Sequence, residues 1–295
     1  MKVGLRDVIP SSLSNFHLSS LNFHLSSFIS HLSSFILNSM INVVKIGGNV
    51  IDDAAALERF LEKFAAMEGP KMLIHGGGKL ATRLSAQLGI ETQMIDGRRV
   101  TDRDTLDVVT MVYAGLVNKQ IVARLGALGC KAIGLSGADA NVIPAVRRAP
   151  KPIDYGYVGD IVPERMNISF LASLVEQGIM PVFCAITHDE KGSLLNSNAD
   201  SVASAVAVAA SKIEPTNLIF CLEKNGVLTD VDDDNSVIPT INRESFAALR
   251  ADGTINKGMI PKIEGAFRAI DGGVTCVVIK HADNLDNALE TRIVE

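Results

Sequence analysis

A buried lysine and two glycine-rich turns are the first features of this chain that could carry out chemistry. Lys45 stands in the apolar stretch 43–46, which runs directly into two glycines at 47–48. A second apolar stretch, 72–75, runs into three glycines at 76–78. Glycine lets the main chain approach a ligand closely, and the backbone N–H groups of a following helix start attract anions. The repeated pattern predicts phosphate chemistry between the two turns.

Each of these signals also has a plainer interpretation. A lone charge in a buried strand is costly unless it is paired or lies at an anion site. Lys45 could instead stand at a strand end and extend its amine into solvent. Each glycine turn alone could be an ordinary connection, but its repetition at two successive strand ends favours anion binding.

Three further charged residues carry weaker signals. Asp200 follows Asn196 by four residues at the start of an alanine-rich helix, where the helix dipole also favours an acid. Lys262 stands near a later helix start, and Arg99 stands in a turn, so either could be a solvated surface charge. The chain lacks G-x-x-x-x-G-K-[ST], G-x-S-x-G and H-E-x-x-H, and it has no G-x-G-x-x-G at the first strand.

The elements that must position these residues alternate between strand and helix from residue 41 onward. Apolar runs predict strands at 71–75, 130–135, 180–186, 217–222 and 275–279. A long helix is predicted from Thr101 or Asp102 to about Leu128, and a hairpin beside the main sheet at 142–163. Such alternation predicts an α/β fold with an open, mostly parallel sheet sandwiched between helices. Ligands in such sheets bind beyond the carboxyl ends of the strands, where the glycine turns fall.

Five short motifs occur in a fixed order and together resemble the amino acid kinase family. They are VKIGG at 44–48, HGGG at 75–78, GRRVT at 97–101, NSNAD at 196–200 and GMIPK at 258–262. Each motif is weak alone, but the ordered set is specific and covers residues 41–295. The third and fourth motifs are similar to those of members that phosphorylate an N-acylated glutamate. The resemblance implies an amino acid kinase-like fold in two lobes.

The resemblance also implies a reaction, the ATP-dependent phosphorylation of the γ-carboxylate of N-acetyl-L-glutamate, giving N-acetylglutamyl 5-phosphate in arginine biosynthesis. Phosphoryl transfer needs positioning and charge neutralisation more than covalent help. Two lysines would hold the transferring phosphate, an aspartate would orient both lysines, and backbone N–H groups would stabilise its oxygens. The catalytic residues implied are Lys45, Lys262, Asp200 and Gly48.

The same resemblance implies where the two substrates bind. An arginine would bind a substrate carboxylate through two hydrogen bonds, and backbone and amide groups would hold the rest of the acylated amino acid. The implied substrate-binding residues are Gly76, Gly77, Arg99 and Asn196. ATP would lie on the C-terminal half of the chain, and Mg²⁺ would be held mainly through the phosphates, without metal-binding residues of its own. The implied nucleotide-binding residues are Glu223, Lys224, Asn225, Gly226, Val227, Leu228, Thr254, Ile255 and Asn256.

No general base is expected, because a γ-carboxylate is already ionised at neutral pH. His75 is therefore interpreted as a strand-end residue that braces the second glycine turn. One departure from the family pattern is Asn256-Lys257 before Gly258, where small or acidic residues are more usual. Two alternatives remain open: the same reaction on N-succinyl-L-glutamate, and an inactive relative that senses an amino acid or a nucleotide. A sensor has no need for a pair of lysines around a transferring group.

Composition limits the partners and the compartment. A net charge of −5 and a pI near 5.7 argue against nucleic acid as a partner and leave a small-molecule substrate. Four cysteines stand far apart without a C-x-x-C pair, which is typical of free thiols in a reducing compartment. No apolar run approaches the roughly 18 residues that a membrane span needs. These features predict a cytoplasmic protein without a membrane segment.

Three regions are predicted along the chain. Residues 1–39 are rich in serine, carry a repeated HLSS segment every seven residues and are interpreted as a disordered or misassigned extension. A metal site at the repeated histidines and an oligomerisation helix are the alternatives. Residues 40–212 would form a lobe for the acyl amino acid and for dimerisation, and residues 213–295 a nucleotide-binding lobe. A homodimer is expected through the long helix at 102–128.

Overall fold

The computed structural model describes residues 40–95, 97–255 and 258–295. The predictions for residues 1–39, for the turn at Asp96 and for the nucleotide contact of Asn256 lie outside the described residues. Residues Met40–Glu295 form one compact unit. The division of this unit into two lobes at residue 212 stays a prediction.

Strands and helices alternate along most of the described chain, as the sequence predicts. The strands are β1 Ile41–Ile46, β2 Lys71–His75, β3 Met94–Ile95, β4 Arg98–Arg99, β5 Ala132–Leu135, β6 Ala145–Arg147, β7 Gly159–Ile161, β8 Met180–Cys184, β9 Ile186–His188, β10 Leu194–Asn196, β11 Thr216–Leu222, β12 Thr240–Ile241, β13 Cys276–His281 and β14 Thr291–Ile293. The helices are α1 Gly48–Asp52, α2 Ala54–Ala66, α3 Gly78–Gln87, α4 Arg103–Ala127, α5 Ile168–Glu176, α6 Ala199–Ala210, α7 Arg243–Ala251 and α8 Ile260–Asp271.

The main sheet has eight strands in the order β12-β14-β13-β11-β1-β2-β8-β5. Every neighbouring pair from β13 to β5 is parallel, whereas β14 runs antiparallel to β13. The prediction of a mostly parallel sheet is therefore confirmed. β1 lies between β11 and β2, so Lys45 stands near the middle of the sheet at its carboxyl edge.

Helices cover both faces of this sheet, which explains why its strands are apolar on both sides. Alternate side chains of β1 enter different cores: Val43 joins one core, and Val44 joins the other. Helices α5, α6 and α8 pack on the Val43 face, and α2, α3 and α4 pack on the opposite face. By the same alternation, Lys45 points to the face that α6 covers.

The long predicted helix is present as α4 and contains an irregularity that the sequence did not reveal. Asp102 caps its start by accepting a hydrogen bond from the backbone N–H of Thr105 at 2.8 Å. Residues Met111–Val117 adopt π-helical geometry between two ordinary α-helical parts. Of the described helices, α4 alone is long and apolar enough to cross a membrane by length and composition, yet its inner side chains are buried in the core.

Small antiparallel pairs flank the sheet at its carboxyl edge. The predicted hairpin at 142–163 is confirmed as β6 paired with β7. The predicted strand at 180–186 divides in two, since β8 stays in the main sheet while β9 leaves it and pairs with β10. As a result, Asn196, the last residue of β10, lies just before the start of α6.

Candidate active site

Two lysines and one aspartate meet at the carboxyl edge of the sheet. The Nζ atom of Lys45 on β1 lies 2.7 Å from Oδ1 of Asp200, and the Nζ atom of Lys262 lies 3.1 Å from Oδ2. Asp200 stands in the first turn of α6, and Lys262 stands in the first turn of α8. The carboxylate thus lies between two ammonium groups that come from distant parts of the chain, as the sequence led us to expect.

Burial and charge compete at this carboxylate. Burial alone would raise the pKa of Asp200, but the charges of Lys45 and Lys262 outweigh burial and hold the pKa below its ordinary value. The side chain of Lys45 is only 12% exposed, whereas that of Lys262 is 36% exposed. The amine of Lys45 is therefore enclosed beside the sheet, whereas the amine of Lys262 faces the solvent side of the site.

The two glycine turns lie beside this cluster. Gly47 precedes α1, and Gly77 precedes α3. Among the described residues, no side chain caps either helix start. The backbone N–H groups at both starts can therefore bind an anion. A Cβ atom on Gly76 would lie 3.8 Å from Ala199, the residue next to Asp200. The side-chain amine of Lys79 in α3 donates to Asn49 in α1, so the two helix starts lie side by side.

Arg99 is buried beneath the second glycine turn rather than solvated, which excludes the plainer interpretation of this residue. Arg99 is only 8% exposed to solvent. Nη2 donates to the carbonyl of Gly78 at 2.9 Å and to Oγ1 of Thr82 at 2.8 Å, and Nη1 donates to Thr92 at 3.2 Å. Three of its five N–H groups are thereby used, which leaves two for a ligand.

Asn196 connects two of the sequence motifs. Its Nδ2 donates to Oγ1 of Thr101 at 3.0 Å, and both residues are buried. The segment that follows Arg99 therefore contacts the segment that leads to Asp200. Asn196, Arg99 and the turn at 76–78 are the predicted substrate-binding residues, and this contact links them to the lysine cluster.

The predicted nucleotide segment follows β11 and is held by an ion pair and by hydrogen bonds to residues further along the chain. Lys224 pairs with Asp234 at 2.8 Å, and Nδ2 of Asn225 donates to the carbonyl of Asp234 at 2.9 Å. The backbone N–H of Val227 donates to Thr291 at 2.8 Å. A Cβ atom on Gly226 would approach the same Thr291 hydroxyl to 2.6 Å, so only glycine fits there.

The structure also describes the predicted nucleotide residues Glu223, Leu228, Thr254 and Ile255. Glu223 is exposed, and Leu228 forms an isolated bridge with Val237. The backbone N–H of Thr254 donates to Asp252 at 2.9 Å, and Ile255 is buried. Among the described residues, no group of three or more His, Cys, Asp or Glu could hold a metal ion.

His75 braces the second glycine turn from below. Its Nδ1 donates to the carbonyl of Gly76 at 2.8 Å, and its Nε2 accepts from Nδ2 of Asn118 at 3.0 Å; these partners assign the neutral tautomer. Burial lowers the pKa of His75 to about 4, so the ring is neutral at physiological pH. Sequence reasoning missed Asn118, although a polar residue on the apolar face of a predicted helix was a usable signal.

Comparison with known proteins agrees with this geometry. The amino acid kinase family matches residues 40–281. The chain therefore belongs to the amino acid kinase family, which confirms the resemblance drawn from the five motifs.

Individual members of the family are similar to this chain over most of its length. The acetylglutamate kinase of Phocaeicola vulgatus is 51% identical over 257 residues, covering 87% of this chain and 99% of that protein. The acetylglutamate kinase of Bacteroides thetaiotaomicron is 50% identical with the same coverage. The carbamate kinase from Giardia lamblia bound to AMP-PNP has a TM-score of 0.62 at 14% identity, covering 87% of this chain and 99% of that chain, and shares the fold.

Proposed function

We propose that this protein transfers the γ-phosphate of ATP to the γ-carboxylate of N-acetyl-L-glutamate, giving N-acetylglutamyl 5-phosphate in arginine biosynthesis. The observation that carries the proposal is the carboxylate of Asp200 between the amines of Lys45 and Lys262, at 2.7 and 3.1 Å. Such paired cations beside uncapped helix starts suit a group that gains negative charge in transit. Two relatives named acetylglutamate kinase, about half identical to this chain, support the substrate.

The lysines neutralise charge on the transferring phosphoryl group in this mechanism. Lys45 acts from the sheet and Lys262 from α8, while Asp200 holds both amines at the positions where that group passes. Backbone N–H groups of Gly48 and Gly76 stabilise the oxygens of the same group, as in an oxyanion hole. The substrate γ-carboxylate attacks as the ionised nucleophile, so no side chain has to remove a proton.

The acyl amino acid lies against the second glycine turn. Arg99 keeps two N–H groups that the described contacts leave unused, and these bind the α-carboxylate. Asn196 and the backbone of Gly76 and Gly77 orient the acylated end. The buried position of Arg99 supports this role, because a buried guanidinium is preorganised for a carboxylate.

The nucleotide lies over the segment from Glu223 to Leu228 and over Thr254 and Ile255, in the C-terminal part of the chain. Mg²⁺ would be held mainly by the ATP phosphates, and its charge would add to that of the lysines. The carboxylate of Asp200 already pairs with two amines, which supports a metal held mainly through phosphate. A division at residue 212 into acyl-amino-acid and nucleotide lobes follows from this arrangement.

We further propose a cytoplasmic homodimer. Met111 and Leu116 on α4 are 53% and 47% exposed, and apolar side chains this large on one helix favour burial against a second copy. The four cysteines are unpaired thiols, and three of them are buried, which suits a reducing compartment.

The test is ADP formation from ATP with three acceptors: N-acetylglutamate, N-succinylglutamate and free glutamate. We expect the highest kcat/KM with the acetyl compound and a loss of roughly a hundredfold or more in Lys45→Ala, because one cation at the transferring group is removed. The matched control is Lys212→Met, just beyond the opposite end of α6 from Asp200, which should match the wild type. Preference for the succinyl compound would change the substrate, and ligand binding without ADP formation would indicate a sensor.

A further inference from the structure

The π-helical turn of α4 lies directly beneath the second glycine turn. Its residues Met111–Val117 are flanked by ordinary helix on both sides, so the distortion is local. Such turns are rare and are often found at functional sites, because an extra residue per turn redirects the side chains. The side chain that this one directs toward the candidate site is Tyr113.

The ring of Tyr113 fills the space next to Gly77. A Cβ atom on Gly77 would lie 3.1 Å from Cδ1 and 3.3 Å from Cε1 of this ring. Gly77 also has φ of +149°, a conformation that favours glycine. The ring and the glycine turn therefore fit each other closely, and the turn has no room to move toward the helix.

The hydroxyl end of Tyr113 reaches the arginine of the site. The hydroxyl lies 3.9 Å from the place that a Cβ atom on Gly78 would take, and Arg99 donates to the carbonyl of Gly78 at 2.9 Å. Burial raises the pKa of Tyr113, and the nearby charge of Arg99 opposes that rise. Tyr113 is only 6% exposed and Arg99 only 8%. One buried side chain thus packs against the turn and lies near the guanidinium that would bind the acyl amino acid.

The residue after the π-turn continues this support. Asn118 donates to His75 at 3.0 Å and to the carbonyl of Val182 at 2.9 Å, and His75 in turn holds the carbonyl of Gly76. The same stretch of α4 therefore holds Gly76 through a hydrogen-bond chain and Gly77 through a ring. Without the π-turn, Tyr113 and Asn118 could not both face the glycine turn, since an ordinary helix would rotate one of them away.

We propose that Tyr113 is a positioning residue that sets the fit of the acyl amino acid, through its ring against Gly77 and its hydroxyl beside Gly78, the residue whose carbonyl binds Arg99. This inference rests on the proposed function and extends it. Tyr113 acts through Gly77 and Arg99 and does not touch the transferring phosphoryl group. Its two parts have separable effects: the hydroxyl governs the orientation of Arg99, and the ring governs the position of the turn.

The experiment compares Tyr113→Phe, Tyr113→Leu and the wild type in steady-state assays that vary N-acetylglutamate and ATP separately. Tyr113→Phe should raise KM for N-acetylglutamate about five- to tenfold, because Arg99 and the carbonyl of Gly78 that it binds lose the polar hydroxyl beside them. Its kcat and its KM for ATP should stay within about twofold of the wild type. Tyr113→Leu should show the same rise in KM and also a kcat about tenfold lower, because the turn shifts.

The matched control is Val112→Ala, on the same π-turn and buried in the same core. It should lower the melting temperature while both KM values stay unchanged. Recovery of kcat in Tyr113→Phe relative to Tyr113→Leu assigns the kcat effect to the ring.

Each result decides the inference. An unchanged KM for N-acetylglutamate in Tyr113→Phe, with an active wild type, overturns it. Equal rises in both KM values, matched by Val112→Ala, would mean a structural role only and overturn it as well. A wild type that forms no ADP with any acyl-glutamate overturns the proposed function and this inference together.

Discussion

Asp200 holds one ammonium group at each of its two carboxylate oxygens. An amide in its place could accept from only one lysine, and its NH₂ group would face the other amine. We therefore expect Asp200→Asn to lower kcat by about a hundredfold, because both cations lose their fixed positions. Steady-state ADP formation measures the change, and Asp271→Asn, an exposed acid at the end of α8, should have wild-type activity. Equal activity of the two variants would contradict the assigned role.

Because the pKa of Asp200 is lowered, only acidic pH can neutralise the carboxylate of this cluster. Its folded pKa lies below its ordinary value, so the stabilisation is complete above about pH 4 and is lost as pH falls through the lowered value. The negative charge of Asp200 therefore persists through the neutral range.

His75 predicts a different pH dependence, in stability. The unfolded chain binds a proton near pH 6.5, but the buried ring resists protonation until about pH 4. The free energy of unfolding should therefore fall as pH drops from 6.5 to 4, by about 3 kcal/mol from this residue. Urea unfolding across this range should show that His75→Asn, which can still donate to Gly76, lacks this part of the slope. His281→Asn, at the end of β13, serves as control, and identical slopes in all three proteins would refute the prediction.

Among single residues, the charged members of the lysine cluster could be predicted from the sequence. The residues that hold the second glycine turn in place could not. Lys45 and Asp200 were identifiable because a charge in an apolar strand and a motif around a helix start are visible in one dimension. Tyr113 and Asn118 were not, because their importance depends on a π-turn whose backbone geometry leaves no mark on residue types.

Among the elements, the start of α6 matters most, because it carries Asp200. Asn198 caps this helix by accepting a hydrogen bond from the backbone N–H of Ser201 at 3.0 Å. Loss of the cap in Asn198→Ala should cost about 1 kcal/mol of stability and also lower kcat, since the first turn frays around the carboxylate. Thermal unfolding and ADP formation measure the two effects.

The capping asparagine of α7 provides the comparison. Asn242→Ala removes a similar cap, an oxygen that accepts from Ser245 at 2.8 Å, on a helix that carries none of the site residues. It should lower stability to a similar extent and leave kcat unchanged. A loss of kcat in both variants would mean that general destabilisation, not the position of Asp200, explains the effect.

Element types followed from the sequence wherever the hydrophobic period was long and regular. The mostly parallel sheet, α4 and the β6–β7 hairpin were predicted, because each depends on local patterns and turn residues. The departure of β9 from the main sheet and the antiparallel β14 were not predicted, since both depend on pairing between distant residues.

For the whole molecule, the exposed side of α4 makes the oligomeric state testable. Glutamate in place of Leu116 or Met111 would put a charge into the proposed interface, so each variant should sediment as a monomer at concentrations where the wild type is a dimer. Sedimentation velocity distinguishes the two states. Val231→Glu changes an apolar residue that is 57% exposed in a loop outside α4, and it should leave the dimer intact. A wild-type monomer at tens of micromolar would contradict the interface.

The wide separation of Lys45 and Lys262 along the chain has a consequence for how the protein is made. On the ribosome, the central strand is synthesised more than two hundred residues before the second cation appears. A nascent chain can bury its first apolar strands early, yet the acid at position 200 gains its second partner only after residue 262 has been added. Enzymatic turnover should thus be among the last properties that a growing or refolding chain acquires.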